Sequence, residues 1–181
     1  RENLWKKYHR TKTEEDKLEI ISKEYDIHSM LDELVSLTKA RIGERNLEFK
    51  VNIDKSIPSV LYGDNTRIKQ VVLNILTNSI RYTKELGVIN VSIERQDDMA
   101  VIKVKDNGIG IPKKDLPRIF ERFYRVDKAR TREMGGTGLG LAISKKMVEM
   151  NGGSISIDSE FGKWTEVTIK LNLAKVLTIQ N

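Results

Sequence analysis

The chain has 181 residues, of which 39% are hydrophobic and 32% are charged, and its formal net charge is +6. This composition is typical of a folded globular domain and argues against intrinsic disorder. The sequence contains no cysteine, which excludes disulfides and cysteine-based zinc sites. It also has no run of about 18 apolar residues, the length that a membrane span requires.

The first third of the chain predicts a helical lead-in followed by strands and one helix. Residues 1–17 are mostly polar, and because the chain starts at Arg1 without a methionine, we expect a fragment of a longer protein. A strand-like run occupies residues 18–22. Asp26 then stands at the N-cap position of a helix with apolar residues at helical spacing. Strands are predicted at residues 47–53 and 60–62.

The remaining two thirds predict two helices and four strands. Asp64 is the N-cap candidate of a helix that runs to about Tyr82, with its apolar residues on one face. The elements that follow are, in chain order, strands at 88–94 and 99–105, a helix from about Gly138 to Met150, strands at 154–158 and 165–171, and a tail at 174–181.

These elements predict an α+β fold in which three helices cover one face of a mixed five-stranded sheet. Short turns join several neighbouring strands, so helices and strands form two separate layers. We expect one domain over residues 18–173, preceded by the lead-in and followed by the tail.

Two glycine clusters point to a phosphate-containing ligand. The first is Asp106-Asn-Gly-Ile-Gly-Ile-Pro112, and the second, Gly136-Thr-Gly-Leu-Gly-Leu141, runs into a predicted helix. Glycine lets backbone amides approach a ligand closely, and a helix N-terminus attracts phosphate. Neither cluster fits a dinucleotide-binding or P-loop pattern, which disfavours both of those folds.

A basic stretch lies between the two clusters. Residues 113–132 contain eight lysines or arginines against three acids, a balance that suits a triphosphate. For most of these side chains a solvated loop is the better explanation. Nucleic acid is not an expected partner, because no stripe of interleaved aromatic residues accompanies the charge.

Two asparagines on one helix face are candidate metal ligands. Asn74 and Asn78 lie one turn apart, and their amide oxygens are donors that Mg²⁺ accepts. Considered by themselves, two surface amides are the better explanation for this pair. Arg81 and Tyr82 follow one turn later and offer a phosphate partner and a stacking ring. Asp106 ends a predicted strand, where its carboxylate could accept a hydrogen bond from an adenine amino group.

Four segments, in this order, resemble the signature motifs of bacterial sensor histidine kinases. Residues 74–83 (Asn-Ile-Leu-Thr-Asn-Ser-Ile-Arg-Tyr-Thr) are similar to the N box, and residues 106–112 to the G1 box. Residues 118–127 (Arg-Ile-Phe-Glu-Arg-Phe-Tyr-Arg-Val-Asp) resemble the F box, and residues 136–141 the G2 box. The order and spacing agree with that family over about residues 18–173.

The resemblance implies the Bergerat fold of the GHKL superfamily, with ATP between the helices and a mobile lid at residues 113–137. It implies that Asn78 is a Mg²⁺ ligand, that Asn74 is a metal or water contact, and that both act in catalysis with Arg125. Phe120 and Phe123 would anchor the lid to the core. The implied nucleotide-binding residues are Asn78, Arg81, Tyr82, Asp106, Gly108, Gly110, Ile111, Arg125, Gly136, Thr137, Gly138, Leu139 and Gly140.

Within these roles, Asp106 would select adenine, and Gly108 and Gly110 would let the purine approach. Tyr82 would pack near the base, whereas Arg81 and Arg125 would contact phosphates. The second glycine cluster would close the lid over the triphosphate.

The resemblance also implies phosphoryl transfer in preference to ATP hydrolysis. Members of this superfamily that hydrolyse ATP carry a glutamate base where this chain has Asn74, which cannot accept a proton near neutral pH. Transfer to an external nucleophile fits better, with the domain supplying position and electrostatics.

A phosphoacceptor histidine is not expected in this chain. The only histidines are His9 and His28, and neither has the acid and proline that accompany the family's acceptor. We therefore expect ATP binding without autophosphorylation, transfer to a separate dimerisation and phosphoacceptor domain, and an indirect link to a response regulator. The fragment is expected to be monomeric and cytoplasmic, with any membrane anchor of its parent elsewhere.

Two other functions are open at this stage. One is a binding module that uses ATP occupancy to order its lid without phosphotransfer, and the other is a serine-directed kinase of the anti-sigma type. The F box favours the histidine kinase over the serine-directed kinase.

Overall fold

The computed structural model describes residues 19–126 and 137–173. Its three α-helices are α1 (Ile27–Ile42), α2 (Asn65–Tyr82) and α3 (Gly140–Met150). The strands are β1 (Lys23–Asp26), β2 (Glu48–Ile53), β3 (Val60–Gly63), β4 (Val88–Gln96), β5 (Met99–Asp106), β6 (Ser154–Glu160) and β7 (Trp164–Asn172). A short 3₁₀ helix covers Leu116–Arg118.

Five of the strands form one mixed sheet in the order β2-β4-β5-β7-β6. β2 and β4 are parallel, and the other neighbours are antiparallel. The register places Asp106, the last residue of β5, opposite Ile89 on β4 and Thr165 on β7. Asp106 therefore lies at the end of a central strand, with a strand on either side.

The helices cover one face of the sheet, and α2 is the middle helix of the layer because it packs against both α1 and α3. The core between the layers is almost entirely aliphatic. Ile75 on α2 is 1% exposed and Ile89 on β4 is completely buried. Polar side chains such as Asn52 and Asn90 occupy the opposite sheet face. This confirms the predicted α+β sandwich with a five-stranded mixed sheet and three helices.

Both predicted N-caps are confirmed. The Asp26 carboxylate accepts a hydrogen bond from the Ser29 N–H at 2.6 Å, and the Asp64 carboxylate accepts one from the Arg67 N–H at 3.0 Å. Each bond satisfies a helix N–H that has no partner within the helix. No helix in the described part of the chain is both long and apolar enough to cross a membrane.

Two predicted boundaries are wrong. The first strand is not at residues 18–22 but at Lys23–Asp26, and it pairs with β3 in a separate two-stranded sheet. Before it, the Ile21 N–H donates instead to the Asp64 carboxylate at 3.0 Å. Helix α3 starts at Gly140, two residues later than predicted, because Gly138 has a φ of +74° that no right-handed helix accommodates.

Candidate functional site

Asp106 lies almost completely buried at the base of the candidate site. It is 5% exposed and accepts a hydrogen bond from the Gly108 N–H at 3.1 Å. Burial raises the pKa of its carboxyl, while hydrogen bonds from the Ser79 hydroxyl and the Gly108 N–H act in the opposite direction. A buried carboxylate with partners on one side can accept a hydrogen bond from a ligand on the other.

The loop at residues 106–112 is held by hydrogen bonds on three sides. The Ile109 N–H donates to the Tyr82 carbonyl at the end of α2 at 3.1 Å. Toward β4, the Val88 N–H donates to Asn107 Oδ1 at 2.7 Å. Toward β6, the Ile111 N–H donates to the Ser159 hydroxyl at 2.8 Å. These bonds fix the loop to a helix and two strands.

The two glycines of this loop have a clear structural role. A Cβ on Gly108 would lie 2.5 Å from the Tyr82 carbonyl oxygen. Gly110 has a φ of +66°, and a Cβ there would lie 2.2 Å from the Glu160 carbonyl oxygen. Neither position can accept a side chain without moving backbone. Packing alone thus accounts for both glycines, and their suggested role in admitting a purine stays a prediction.

Asn74 links α2 to α3 at the opposite side of the site. Its Nδ2 donates to the hydroxyl of Ser144, which is 2% exposed, at 2.9 Å. A Cβ on Gly140 would lie 2.7 Å from Asn74 Oδ1, so an alanine there would force the Asn74 amide to shift. Because Nδ2 of Asn74 already donates to Ser144, its side-chain carbonyl oxygen is the atom that can contact a metal or a water. Asn78 lies one turn further along the same half-buried face.

Three hydrogen-bonding residues of the site were not singled out from the sequence. They are Ser79 and Ser144, which bond Asp106 and Asn74, and Ser159, which bonds the 106–112 loop. Of the three, only Ser79 could have been found from the sequence, because it is a polar residue on the otherwise apolar face of α2. Ser144 and Ser159 depend on contacts between elements distant in sequence.

Helix α3 begins without a side-chain cap. Its N-cap residue is Leu139, whose side chain makes no capping hydrogen bond. The first N–H groups of a helix carry partial positive charge and attract anions when no cap occupies them. Because Gly140 contacts Asn74, these donors lie on the same side of the molecule as the two asparagines.

A hydrogen bond joins residues 113–126 (the first arm of the expected lid) to residues 137–140 (its second arm). The Phe123 N–H donates to the Gly138 carbonyl at 2.9 Å. Phe123 itself is 57% exposed, so the prediction that its ring anchors the lid in the core is wrong. The buried anchor is Ile119, at 6% exposure, whereas Phe120 is half-buried beneath the Lys145 ammonium group. Phe123 has a φ of +64°, which turns its side chain away from the position expected for it.

The structure places the remaining predicted residues as follows. Tyr82 and Arg81 are half-buried at the last turn of α2, and Ile111 is half-buried at the end of the 106–112 loop. Thr137 is exposed beside Gly138. Nε and Nη2 of Arg125 are buried and have no hydrogen-bond partner within the part of the chain that the structure describes. Gly136, His9 and the segments 1–17 and 174–181 lie outside the described residues, and His28 is exposed in the first turn of α1.

Residues 63–175 match the family model described as histidine kinase-, DNA gyrase B- and HSP90-like ATPase. This match spans more than half of the chain and includes α2, both glycine clusters and the segment between them. The chain belongs to this ATPase family.

Similar proteins from this family are sensor histidine kinases. The chain is 48% identical over 131 residues to the sensor histidine kinase WalK of Bacillus subtilis, covering 71% of the chain and 21% of WalK. It is 33% identical over 163 residues to RcsC of Escherichia coli, covering 90% of the chain and 17% of RcsC. The chain thus spans about a fifth of the length of these relatives.

Solved structures of the family share the fold. The mycobacterial sensor histidine kinase MprB superposes with a TM-score of 0.73 at 29% identity, covering 83% of this chain and 98% of that one. The catalytic domain of histidine kinase ThkA gives a TM-score of 0.72 at 26% identity, covering 84% and 98%. This ATPase family domain therefore has the architecture of a histidine kinase catalytic domain, as the four motifs predicted.

Proposed function

We propose that this domain binds ATP with Mg²⁺ and transfers the γ-phosphoryl group to a histidine on a separate phosphoacceptor domain. The observation that carries the proposal is that the second half of α2 carries Asn74, bonds Asp106 through Ser79, and contacts the uncapped start of α3 through Asn74. A buried acceptor, neutral oxygen ligands and backbone donors are the groups that an adenine, a metal and a triphosphate require.

Adenine recognition is proposed for Asp106. Its carboxylate is held by Ser79 and Gly108, so it has a fixed direction and a low-dielectric surrounding, in which a hydrogen bond from an amino group is strong. The half-buried Tyr82 ends α2 beside this loop and is the proposed contact for the base.

Phosphate binding is proposed for the start of α3 and for two arginines. The amides after Leu139 have no side-chain cap, and the buried Nε and Nη2 of Arg125 have no partner. Buried donors of a cation without an acceptor are costly, and a phosphate oxygen is a suitable acceptor. Arg81, half-buried on the last turn of α2, is the second proposed phosphate contact. Gly138, Leu139 and Gly140 would shape the backbone around the triphosphate, together with Gly136 and Thr137.

The side-chain oxygens of this chain fit Mg²⁺ only if phosphate oxygens complete the coordination of the ion. Within the described residues, no group of three acidic, histidine or cysteine side chains could hold a metal ion. Asn78 and Asn74 offer neutral oxygens, so most of the ion's ligands would be phosphate oxygens and waters, as is usual for Mg²⁺. When bound, the ion would neutralise charge on the phosphates during transfer.

The residues of this chain would mainly position the reactants. Asn74 cannot act as a general base for water, so hydrolysis is not favoured. The acceptor domain and, through it, a response regulator are the expected protein partners. Sequence similarity to WalK and RcsC, both sensor histidine kinases, supports this proposal over a serine-directed kinase.

Two measurements test the proposal. Calorimetry with a nonhydrolysable ATP analogue should show binding that strengthens when Mg²⁺ is added. With γ-labelled ATP and an acceptor hairpin from a related kinase, the label should appear on the hairpin in acid-labile form. The variant Asn78→Asp should lose the transfer, whereas Asn52→Asp, on the opposite sheet face, should retain it.

The outcomes separate the alternatives. Analogue binding without transfer to any hairpin, with an unchanged partner interaction in Asn78→Asp, would support an ATP-gated binding module. Acid-stable label on a serine of a partner would support a serine-directed kinase. Absence of analogue binding would contradict all three functions.

A further inference from the structure

The side chain of Tyr124 makes two contacts within the first arm of the lid. Its hydroxyl donates to Asp115 Oδ1 at 2.5 Å, and Asp115 is 7% exposed. The Arg118 guanidinium carbon lies 4.3 Å from the centre of the Tyr124 ring. The hydrogen bond to Asp115 raises the pKa of the Tyr124 hydroxyl, as expected for a donor facing an ionised acceptor. Tyr124 is therefore held at both its ring and its hydroxyl.

Asp115 is itself fixed by the backbone around it. Its N–H donates to the Pro112 carbonyl at 2.8 Å, and its carbonyl accepts from the Arg118 N–H at 2.9 Å. Pro112 ends the loop that carries Asp106. The Tyr124 hydroxyl is thus tied to the same loop that forms the base of the candidate site.

The backbone of Tyr124 lies against the second arm of the lid. A Cβ on Gly138 would be 3.0 Å from the Tyr124 carbonyl oxygen, and the preceding Phe123 N–H is bonded to the Gly138 carbonyl. Gly138 is two residues from Gly140, which contacts Asn74. This chain of contacts connects Tyr124 with the asparagine pair on α2.

Arg125 follows Tyr124 directly and carries the unpartnered donors. Among residues 19–126 and 137–173, its buried Nε and Nη2 have no hydrogen-bond partner. A guanidinium presents these atoms as a planar fork that matches an anion only when its plane is held in one orientation. A long, flexible arginine side chain meets this condition only when the backbone that carries it is held. The neighbouring residue must therefore be held in place.

We propose that Asp115 and Tyr124 are positioning residues, which hold the Arg125 guanidinium where it meets the phosphates of the bound nucleotide. The inference rests on the proposed function, because it assigns Arg125 a nucleotide partner. Neither Asp115 nor Tyr124 needs to touch the nucleotide. Their hydrogen bond fixes the backbone at residue 124, which in turn fixes the start of the Arg125 side chain.

A double-mutant cycle on the whole chain tests this coupling. The measured quantities are the affinities for the ATP analogue AMPPNP with Mg²⁺ and for adenosine, which lacks phosphates. Tyr124→Phe should weaken AMPPNP binding about tenfold, the effect of losing one hydrogen bond that orients a charged group, and should change adenosine binding less than twofold. In the Arg125→Ala background, Tyr124→Phe should have no further effect.

Conservative and matched variants exclude a general loss of structure. Asp115→Asn keeps an acceptor oxygen for the Tyr124 hydroxyl and should bind AMPPNP nearly as the original chain does, whereas Asp115→Leu should resemble Tyr124→Phe. Tyr62→Phe, which changes an exposed tyrosine on β3, is the control for removing a hydroxyl. Thermal unfolding of each variant shows whether it is folded.

The outcomes distinguish the inference from the proposed function. If the unaltered chain binds no AMPPNP, the proposed function fails. If the unaltered chain binds AMPPNP, two results would overturn only the positioning role. One is that the effects of Tyr124→Phe and Arg125→Ala on AMPPNP binding simply add. The other is that Tyr124→Phe weakens adenosine binding as much as AMPPNP binding.

Discussion

Replacing Gly110 by alanine separates the two explanations for the first glycine cluster. Gly110 and Gly162 both have positive φ, at +66° and +84°, so an alanine at either position costs about 1–2 kcal/mol in backbone strain. At Gly162 the added Cβ would have no atom within 4 Å. At Gly110 it would lie 2.2 Å from the Glu160 carbonyl oxygen. Gly162→Ala is thus a matched control that isolates the contact with β6.

The contact adds a cost that the structure lets us estimate. Relief of the overlap requires the loop or the β6–β7 turn to move by about 1 Å, since ordinary contacts begin near 3.4 Å. That shift would break the Gly162 N–H bond to the Ile109 carbonyl, 2.7 Å, and the Ile111 N–H bond to Ser159, 2.8 Å. At about 1 kcal/mol for each bond, Gly110→Ala should cost about 3–4 kcal/mol in total.

Thermal unfolding followed by circular dichroism measures the difference. With about 2–4 °C per kcal/mol for a domain of this size, Gly162→Ala should lower the Tm by about 2–8 °C and Gly110→Ala by about 6–16 °C. Equal shifts in the two variants, with AMPPNP binding lost only in Gly110→Ala, would refute the packing explanation and favour purine approach as the reason for this glycine.

Three further changes test the site. Asp106→Asn should weaken AMPPNP binding about 10- to 100-fold in calorimetry, because a neutral amide replaces a charged acceptor. Burial raises the pKa of Asp106, so ionisation of its carboxyl disfavours the native state. At neutral pH, Asp106→Asn should therefore unfold at a higher urea concentration than the original chain. This gain in stability should shrink as the pH falls through the raised pKa of Asp106. Ser144→Ala should cost about 1 kcal/mol in urea unfolding by removing the partner of Asn74, and no change would contradict the α2–α3 link. Arg45→Ala should cost about 1–2 kcal/mol, because Nη2 of Arg45 donates to the Thr83 carbonyl at the end of α2 at 2.7 Å; an unchanged midpoint would disprove this capping role.

Features that depend on local chemistry were predictable from the sequence. The carboxylates of Asp26 and Asp64 cap their helices as expected, and the turn at Asn151 ends α3 with Gly152 at a φ of +72°. The alternating strands and the apolar face of α2 also predicted the layer arrangement. In each of these cases the residues that decide the structure lie within a few positions of one another.

Features that depend on distant contacts were not predictable. The strand at Lys23–Asp26 forms where it does because β3 pairs with it and the Asp64 carboxylate binds the preceding Ile21 N–H. The exposed ring of Phe123 follows from a positive φ beside Gly138 that no local pattern reveals. In the site, Asn74 was singled out from the sequence, but its bond to Ser144, 70 residues away, was not.

The most direct test of the central claim is phosphoryl transfer from γ-labelled ATP to a separately supplied acceptor hairpin of a related kinase. Our account predicts acid-labile label on the hairpin's histidine, no label on this chain when it is incubated alone, and loss of transfer in Asn78→Asp. Acid-labile label on the isolated chain, or analogue binding without transfer to any hairpin, would contradict it.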